Sequence, residues 1–158
     1  MDEVPIIVVG MDGSPGSRTA LEYALADAGR RGARIRAVMA FDPPAYWAET
    51  YGLSAPPSLQ EVSTRVETGL RSTVAEVRAG VTGAAADVPV EVLALPGAAA
   101  KVLVEQARDA DDLVVGHRGR GGIASAVLGS VSLQCVLHAP RRVTVVRPDR
   151  THTAAGAA

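Results

Sequence analysis

The sequence predicts a single α/β domain, doubly wound around a five-stranded parallel sheet with helices on both faces. Three observations lead there. Short, β-branched apolar runs recur along the 158 residues and alternate with segments of helical periodicity. A strand that is apolar on both sides is buried on both faces, as the strands of a parallel sheet are. The alternation β-α-β-α-β-α-β-α-β then calls for right-handed crossover helices. Hydrophobic residues make up 47% of the chain but aromatics only 3%, so the core is built of small side chains that let helices pack closely on a sheet.

Each element follows in order. Val4 to Gly10 (VPIIVVG) is a continuous apolar run ended by glycine, the first strand. Ser14 suits a helix N-cap and Pro15 its first position. Leu21, Ala24, Leu25 and Ala28 then recur at helical spacing, and Gly32 ends that helix. Arg34 to Phe41 is the second strand. Asp42 to Pro57 reads as a long loop with prolines at both ends, carrying the one Trp and two of the three Tyr; loops of that length are usually functional or mobile. Leu59, Val62, Val66, Leu70, Val74 and Val77 mark a long amphipathic helix. Val88 to Leu95 is the third strand, and Ala99, Val102, Leu103 and Ala107 share one face of a third helix. Asp112 to His117 is the fourth strand, Val131 to Leu137 a fourth helix, and VTVVRP (Val143 to Pro148) the last strand. Residues 1–148 form the domain. Residues 149–158 are a polar, small-residue tail, expected to be disordered.

Composition excludes several classes. The net charge of -1 leaves no nucleic-acid footprint and no polybasic membrane anchor. No apolar run reaches transmembrane length. The start MDEVPIIVVG lacks the basic region and long apolar stretch of a secretory signal. A single cysteine, Cys135, cannot close an internal disulfide and fits a reducing compartment. The chain reads as cytoplasmic. Cys135 is expected to be a small buried hydrophobe rather than a redox sensor, and His138 to favour its helix C-terminus. His117, His138 and His152 have no metal-cluster spacing. Asp42 and the pair Asp111-Asp112 read as strand-edge turn acids, and Arg141-Arg142 as a solvated pair.

The chemistry concentrates in two loops that leave strand ends. In an open α/β sheet, ligands bind beyond the carboxyl ends of the strands at the switch point. One loop is GMDGS, with Asp12, after the first strand. The other follows the fourth strand: Gly116, two residues, Gly119, nine residues, then Gly129-Ser130. Gly116 and Gly119 can let backbone approach a ligand or adopt positive φ. Gly129-Ser130 opens a helix whose free N–H groups and positive dipole end suit an anion. Ser130 and Ser132 add hydroxyls, and Arg118 and Arg120 could reach phosphate oxygens. The loop lacks GK[ST], so it is not a Walker A loop. Asp12 could bind a ribose hydroxyl or a phosphate-bound Mg²⁺, or be a turn residue.

The combination of VVGMDGS, Gly-2x-Gly-9x-Gly-Ser, LHAP (Leu137 to Pro140) and the closing VTVVRP resembles the universal stress protein family over roughly Val4 to Pro148. The resemblance implies strand order 3-2-1-4-5 and the ATP-binding branch. By position it implies that Gly10, Met11 and Asp12 line the nucleotide, and that Ala40 offers backbone contacts to adenine. Val115, Gly116 and His117 would border adenine or ribose, with His117 equally readable as a solvated loop residue. Gly119, Gly129, Ser130, Val131 and Ser132 would hold phosphates. It also implies a homodimer in which the last strand, Val143 to Arg147, pairs with its copy.

The function expected is thus an ATP-binding regulatory protein, with Mg²⁺ as companion and at most weak hydrolysis or autophosphorylation. A cyclic AMP binder on the same fold and a slow ATPase are the alternatives. The chain lacks a GxSxG elbow and nucleotidyl-transferase signatures of the HIGH or SGGxDS type. A phosphoacceptor receiver would need an acid at the end of the third strand, where Leu95-Pro96 stands, and a lysine after the fifth; the one lysine is Lys101.

Overall fold

The computed structural model describes residues 3–52, 54–119 and 128–148. It contains β1 (Ile6–Gly10), α1 (Pro15–Arg31), β2 (Arg34–Phe41), α2 (Pro44–Tyr51), α3 (Leu59–Ala79), β3 (Val90–Pro96), α4 (Ala99–Gln106), β4 (Asp112–Gly116), α5 (Ser130–His138) and β5 (Arg142–Val146). A short 3-10 turn, Gly83–Asp87, precedes β3. The five strands form one parallel sheet in the order β3-β2-β1-β4-β5.

The sheet separates two cores because consecutive strand residues face opposite ways. On one face Ile7, Val9, Ile35, Ala37 and Val114 pack against Leu21, Leu25 and Ala28 of α1 and Leu70, Val74 and Val77 of α3. On the other Val8, Val38, Leu113 and Val115 meet Leu103 and Ala107 of the α4 segment and Cys135 of α5. Leu21 and Leu25 are fully buried, each contributing about 1.5–3 kcal/mol relative to exposure.

Local chemistry sets the helix ends. The Ser14 hydroxyl accepts the Ser17 N–H, Pro15 follows at the first position, and Gly32 closes α1 in the left-handed conformation at φ 65°. At the start of α3 a capping box forms. Ser58 Oγ accepts from the Glu61 N–H, and the Glu61 carboxylate accepts from the Ser58 N–H. Ser58 and Glu61 stand in the Ser-x-x-Glu spacing of such a box, which the apolar periodicity alone did not point to.

The stretch expected as one long loop after β2 contains a helix, α2. Pro44 occupies its first turn, Gly52 its left-handed end, and the Trp47 and Tyr51 rings stack at 5.3 Å across one turn. Aromatic pairs four residues apart are helix neighbours, a periodicity too short to outweigh the flanking prolines in the sequence. Strand limits shift slightly: pairing starts at Ile6 rather than Val4, β3 runs Val90–Pro96, and β5 begins at Arg142. Residues 149–158, expected as a disordered tail, lie outside the described residues.

Asp112 is not a turn acid. It lies in β4 and is buried, accepting from Arg31 Nη1 at 2.7 Å and Arg142 Nε at 2.8 Å. Arg142 is therefore paired and not merely solvated. Burial pushes the Asp112 carboxyl up, but the two guanidinium hydrogen bonds outweigh it and hold the group below its ordinary value. Asp111 caps the other side, its Oδ2 accepting from the Ile6 N–H at 2.8 Å.

Candidate functional site

Because β1 and β4 are neighbours, with Val9 opposite Val114, the loops leaving their carboxyl ends lie side by side. This is where strand order reverses, the place where such sheets bind ligands. A cleft of about 220 Å³ opens there. Gly10, Met11 and Asp12 form one wall. Val115, Gly116, Arg118 and Gly119 form the second, and Gly129, Ser130, Val131 and Ser132 the third. Eleven of the fourteen positions singled out in the sequence thus converge on one crevice.

The remaining three divide. Ala40 sits near the end of β2, opposite Leu95, and does not line the cleft. Arg120 lies outside the described residues. His117 is 7% exposed, which corrects the expectation of a solvated loop histidine. Its N–H donates to the Val146 carbonyl at 2.8 Å and its carbonyl accepts the Gly129 N–H at 2.9 Å. The segment after β4 is thereby tied to both β5 and the start of α5. His117 Nε2 and Arg118 Nε are both shielded from water and lack a partner among the described residues. An unsatisfied buried polar group costs about 1–3 kcal/mol.

The glycines have separate reasons. A Cβ on Gly116 would come within 2.8 Å of the Gly16 backbone, and one on Gly16 within 2.6 Å of the Arg118 carbonyl oxygen. Gly116 is thus required by the approach of the α1 N-terminus, and not by a positive φ, which it does not have. Gly119 is different: a Cβ there would lie 2.5 Å from Asp12 Oδ2. That space belongs to the Asp12 carboxylate. Asp12 Oδ1 accepts the Ser14 N–H at 2.9 Å, which aligns the carboxylate at the head of α1.

Gly129 caps α5 in an extended conformation without a side-chain cap. The first N–H groups of α5 have no intrahelical acceptors and mark the positive end of its dipole. Ser130 is exposed. Ser132 is buried, and its hydroxyl donates to the Gly116 carbonyl at 2.5 Å. That hydroxyl proton joins α5 to the end of β4, so toward a ligand Ser132 offers its backbone N–H. The sequence reading missed four lining residues: Ser14, Ser17, Ala99 and Leu103. Ser14 was visible only as a helix cap, and Ser17 was not singled out. Ala99 and Leu103 were visible only as the apolar face of α4.

Among the described residues no group of three or more His, Cys, Asp or Glu could hold a metal ion, and no helix is long and apolar enough to cross a membrane. Cys135 is buried as expected, and burial pushes its thiol up to about 11.

Comparison with known proteins agrees with this geometry. Residues 4–147 match the model of the universal stress protein family. The chain belongs to the universal stress protein family. It is 35% identical to Universal stress protein Rv1996 of Mycobacterium tuberculosis over 91% of its own length and 50% of that protein. It therefore spans about half the length of that curated relative. It is also 33% identical to a universal stress protein of Thermus aquaticus over 89% of the chain and 97% of that protein. Among solved structures, a universal stress protein in complex with cAMP matches with TM-score 0.62 and 27% identity, covering 92% of this chain and 98% of that one. The universal stress protein of Archaeoglobus fulgidus in complex with dAMP matches with TM-score 0.62 at 19% identity, covering 92% of this chain and 98% of that one, a likeness of fold.

Proposed function

We propose that this universal stress protein binds ATP in the crevice between the ends of β1 and β4, and that the bound nucleotide sets its regulatory state. The observation that carries the reading is the convergence of Asp12, the Gly116–Gly119 segment and the uncapped N-terminus of α5 on one cleft. The phosphates sit against the N–H groups of Ser130, Val131 and Ser132, where dipole and donors favour an anion. Base and ribose take the side of Gly10, Met11 and Val115. The cleft is smaller than the 300–1,000 Å³ common for small-molecule sites, so part of the nucleotide projects from it. The solved relative holding cAMP supports an adenine nucleotide as the ligand class.

Asp12 fits a Mg²⁺ ion. Its carboxylate fills the space that a side chain at position 119 would occupy, and Mg²⁺ is commonly held by one or two carboxylates together with phosphate oxygens and water. Bound there, the ion would neutralise phosphate charge. Against a terminal phosphate the described part of the crevice offers one carboxylate, Asp12, and one guanidinium, Arg118. Rapid phosphoryl transfer needs a positioned water or base as well as charge clamps, so this set supports slow hydrolysis at most.

The homodimer expected through β5 remains part of this reading. β5 is an edge strand, and α5 beside it exposes Leu133, Val136 and Leu137. An edge strand next to an apolar face is covered most simply by a second copy. Light scattering is expected to give a dimer for the wild type and a monomer for Leu137→Asp; dimers of both would remove this surface from the interface.

The deciding experiment is to purify the protein without added nucleotide, denature it with heat and identify what is released by mass spectrometry. Calorimetric titration with ATP and cyclic AMP in competition follows. ATP or ADP near one per chain supports the reading. Tighter binding of cyclic AMP moves the assignment to that ligand, and absence of both ends it.

A further inference from the structure

A second hollow, about 420 Å³ in volume, adjoins the crevice. It shares Ser14, Arg118 and Gly119 with the crevice, and is also lined by Pro15, Gly16, His117, Arg147 and Pro148. No carboxylate is among these described residues. The hollow lies at the N-terminus of α1, a helix of 17 residues. There Pro15 has no N–H, and Ser14 already accepts the N–H groups of Ser17 and Arg18. At the second position of the helix, the Gly16 N–H has no intrahelical acceptor. Two guanidinium side chains, Arg118 and Arg147, border the same space. Independently of the helix end, His117 forms part of the wall, is 7% exposed, and has an Nε2 without a partner among the described residues. Arg118 Nε is in the same condition.

We propose that this hollow is an anion site for a phosphate dianion, held by the Gly16 N–H, His117 Nε2, Arg118 and Arg147. A helix N-terminus, guanidinium groups and a donor imidazole are the chemistry that recognises phosphoryl oxygens. His117 Nε2 and Arg118 Nε are without a partner among the described residues, and both side chains belong to residues that line the hollow. Arg118 borders both spaces, so occupancy here alters the crevice next to it. The assignment does not depend on nucleotide binding.

The test titrates the full chain with inorganic phosphate and follows the Gly16 amide and the His117 imidazole by NMR, with calorimetry in parallel. Wild type and Arg147→Ala are compared. Arg147 is exposed, so its truncation leaves the core intact. The expected result is a shift at Gly16 and His117 and roughly tenfold weaker phosphate binding in Arg147→Ala, the loss of one charge-assisted contact. Shifts confined to the Ser130, Val131 and Ser132 amides, with unchanged affinity in Arg147→Ala, would place the phosphate in the crevice. That result would overturn this proposal while leaving the nucleotide reading in place. Absence of any shift overturns it as well. A final arm compares ATP with AMP: if Arg147→Ala weakens ATP only, the nucleotide's own tail supplies the phosphoryl group, and if neither changes, a free phosphate or phosphomonoester does.

Discussion

Asp12 accepts the Ser14 N–H and, in the proposed site, faces Mg²⁺; a substitution can separate these two roles. Asp12→Asn keeps the oxygen that accepts the Ser14 N–H but removes the charge that would hold Mg²⁺. Hydrogen bonds to charged groups contribute about 1.5–3 kcal/mol, so Asp12→Asn is expected to weaken Mg·ATP binding roughly 10- to 100-fold while circular dichroism and melting temperature stay near wild type. Equal calorimetric affinities for the two proteins would remove Asp12 from the site. Cys135 gives a second prediction. With its thiol pushed up to about 11, the reactive thiolate is scarce at neutral pH. Iodoacetamide at pH 7 is expected to leave the native protein unmodified and to alkylate it in denaturant, as read by mass spectrometry. Rapid alkylation of the native protein would contradict the buried environment.

Among the elements, the segment after β4 behaves as part of the framework. His117, Gly116 and Ser132 join it to β5, α1 and α5. Gly116→Val is consequently a poor probe of ligand binding, since its side chain meets the Gly16 backbone. Overpacking costs about 1–3 kcal/mol, so this variant is expected to lower the urea midpoint even without nucleotide. Ser58→Ala, which removes the capping box of α3, is expected to cost about 1 kcal/mol and to leave nucleotide binding unchanged. A larger loss from Ser58→Ala than from Gly116→Val would mean the backbone contact yields easily. The start and end of α1 were legible because Ser14-Pro15 and Gly32 carry their own local chemistry. α2 was not, because its prolines and glycine read equally as loop punctuation and its helical turns are supported by aromatic stacking.

For the molecule as a whole, acid stability follows from the paired carboxylates. Asp112 and Asp109 are both held below the ordinary aspartate value. For Asp109 the leading cause is its hydrogen bond from Arg36. A carboxyl with a depressed folded value contributes stability that is present above its unfolded value and lost as pH falls through the folded one. Urea unfolding is expected to show constant stability near neutrality and a decline below about pH 4. Asp112→Asn should lower stability near neutrality and flatten that decline; an unchanged pH profile would show that the Arg31–Asp112–Arg142 cluster contributes nothing to it. Ligand linkage acts at the same scale. At 100 times its Kd, ATP adds about 2.7 kcal/mol, which for a chain of this size raises the melting temperature by roughly 5–11 °C. No rise on adding ATP would count against the crevice as its site.

The layered α/β order, the strands and most helix ends could be read from the chain alone, because buried apolar runs, helical spacing and cap residues are local signals. The sequence also marked Asp12 and the Gly116 to Ser132 spacing as the place for chemistry. Three-dimensional packing was needed to tell which of those residues line the cleft and which hold the scaffold. Gly116 faces a helix backbone, Ser132 donates to a carbonyl, and Ala40 stands outside the cleft. Asp112 appeared as a turn acid until Arg31 and Arg142, 81 and 30 residues away in sequence, were brought to it by the parallel crossovers. Contacts of that separation depend on strand order and register, which local periodicity does not encode. The same holds for His117, whose burial depends on β5 passing beside it.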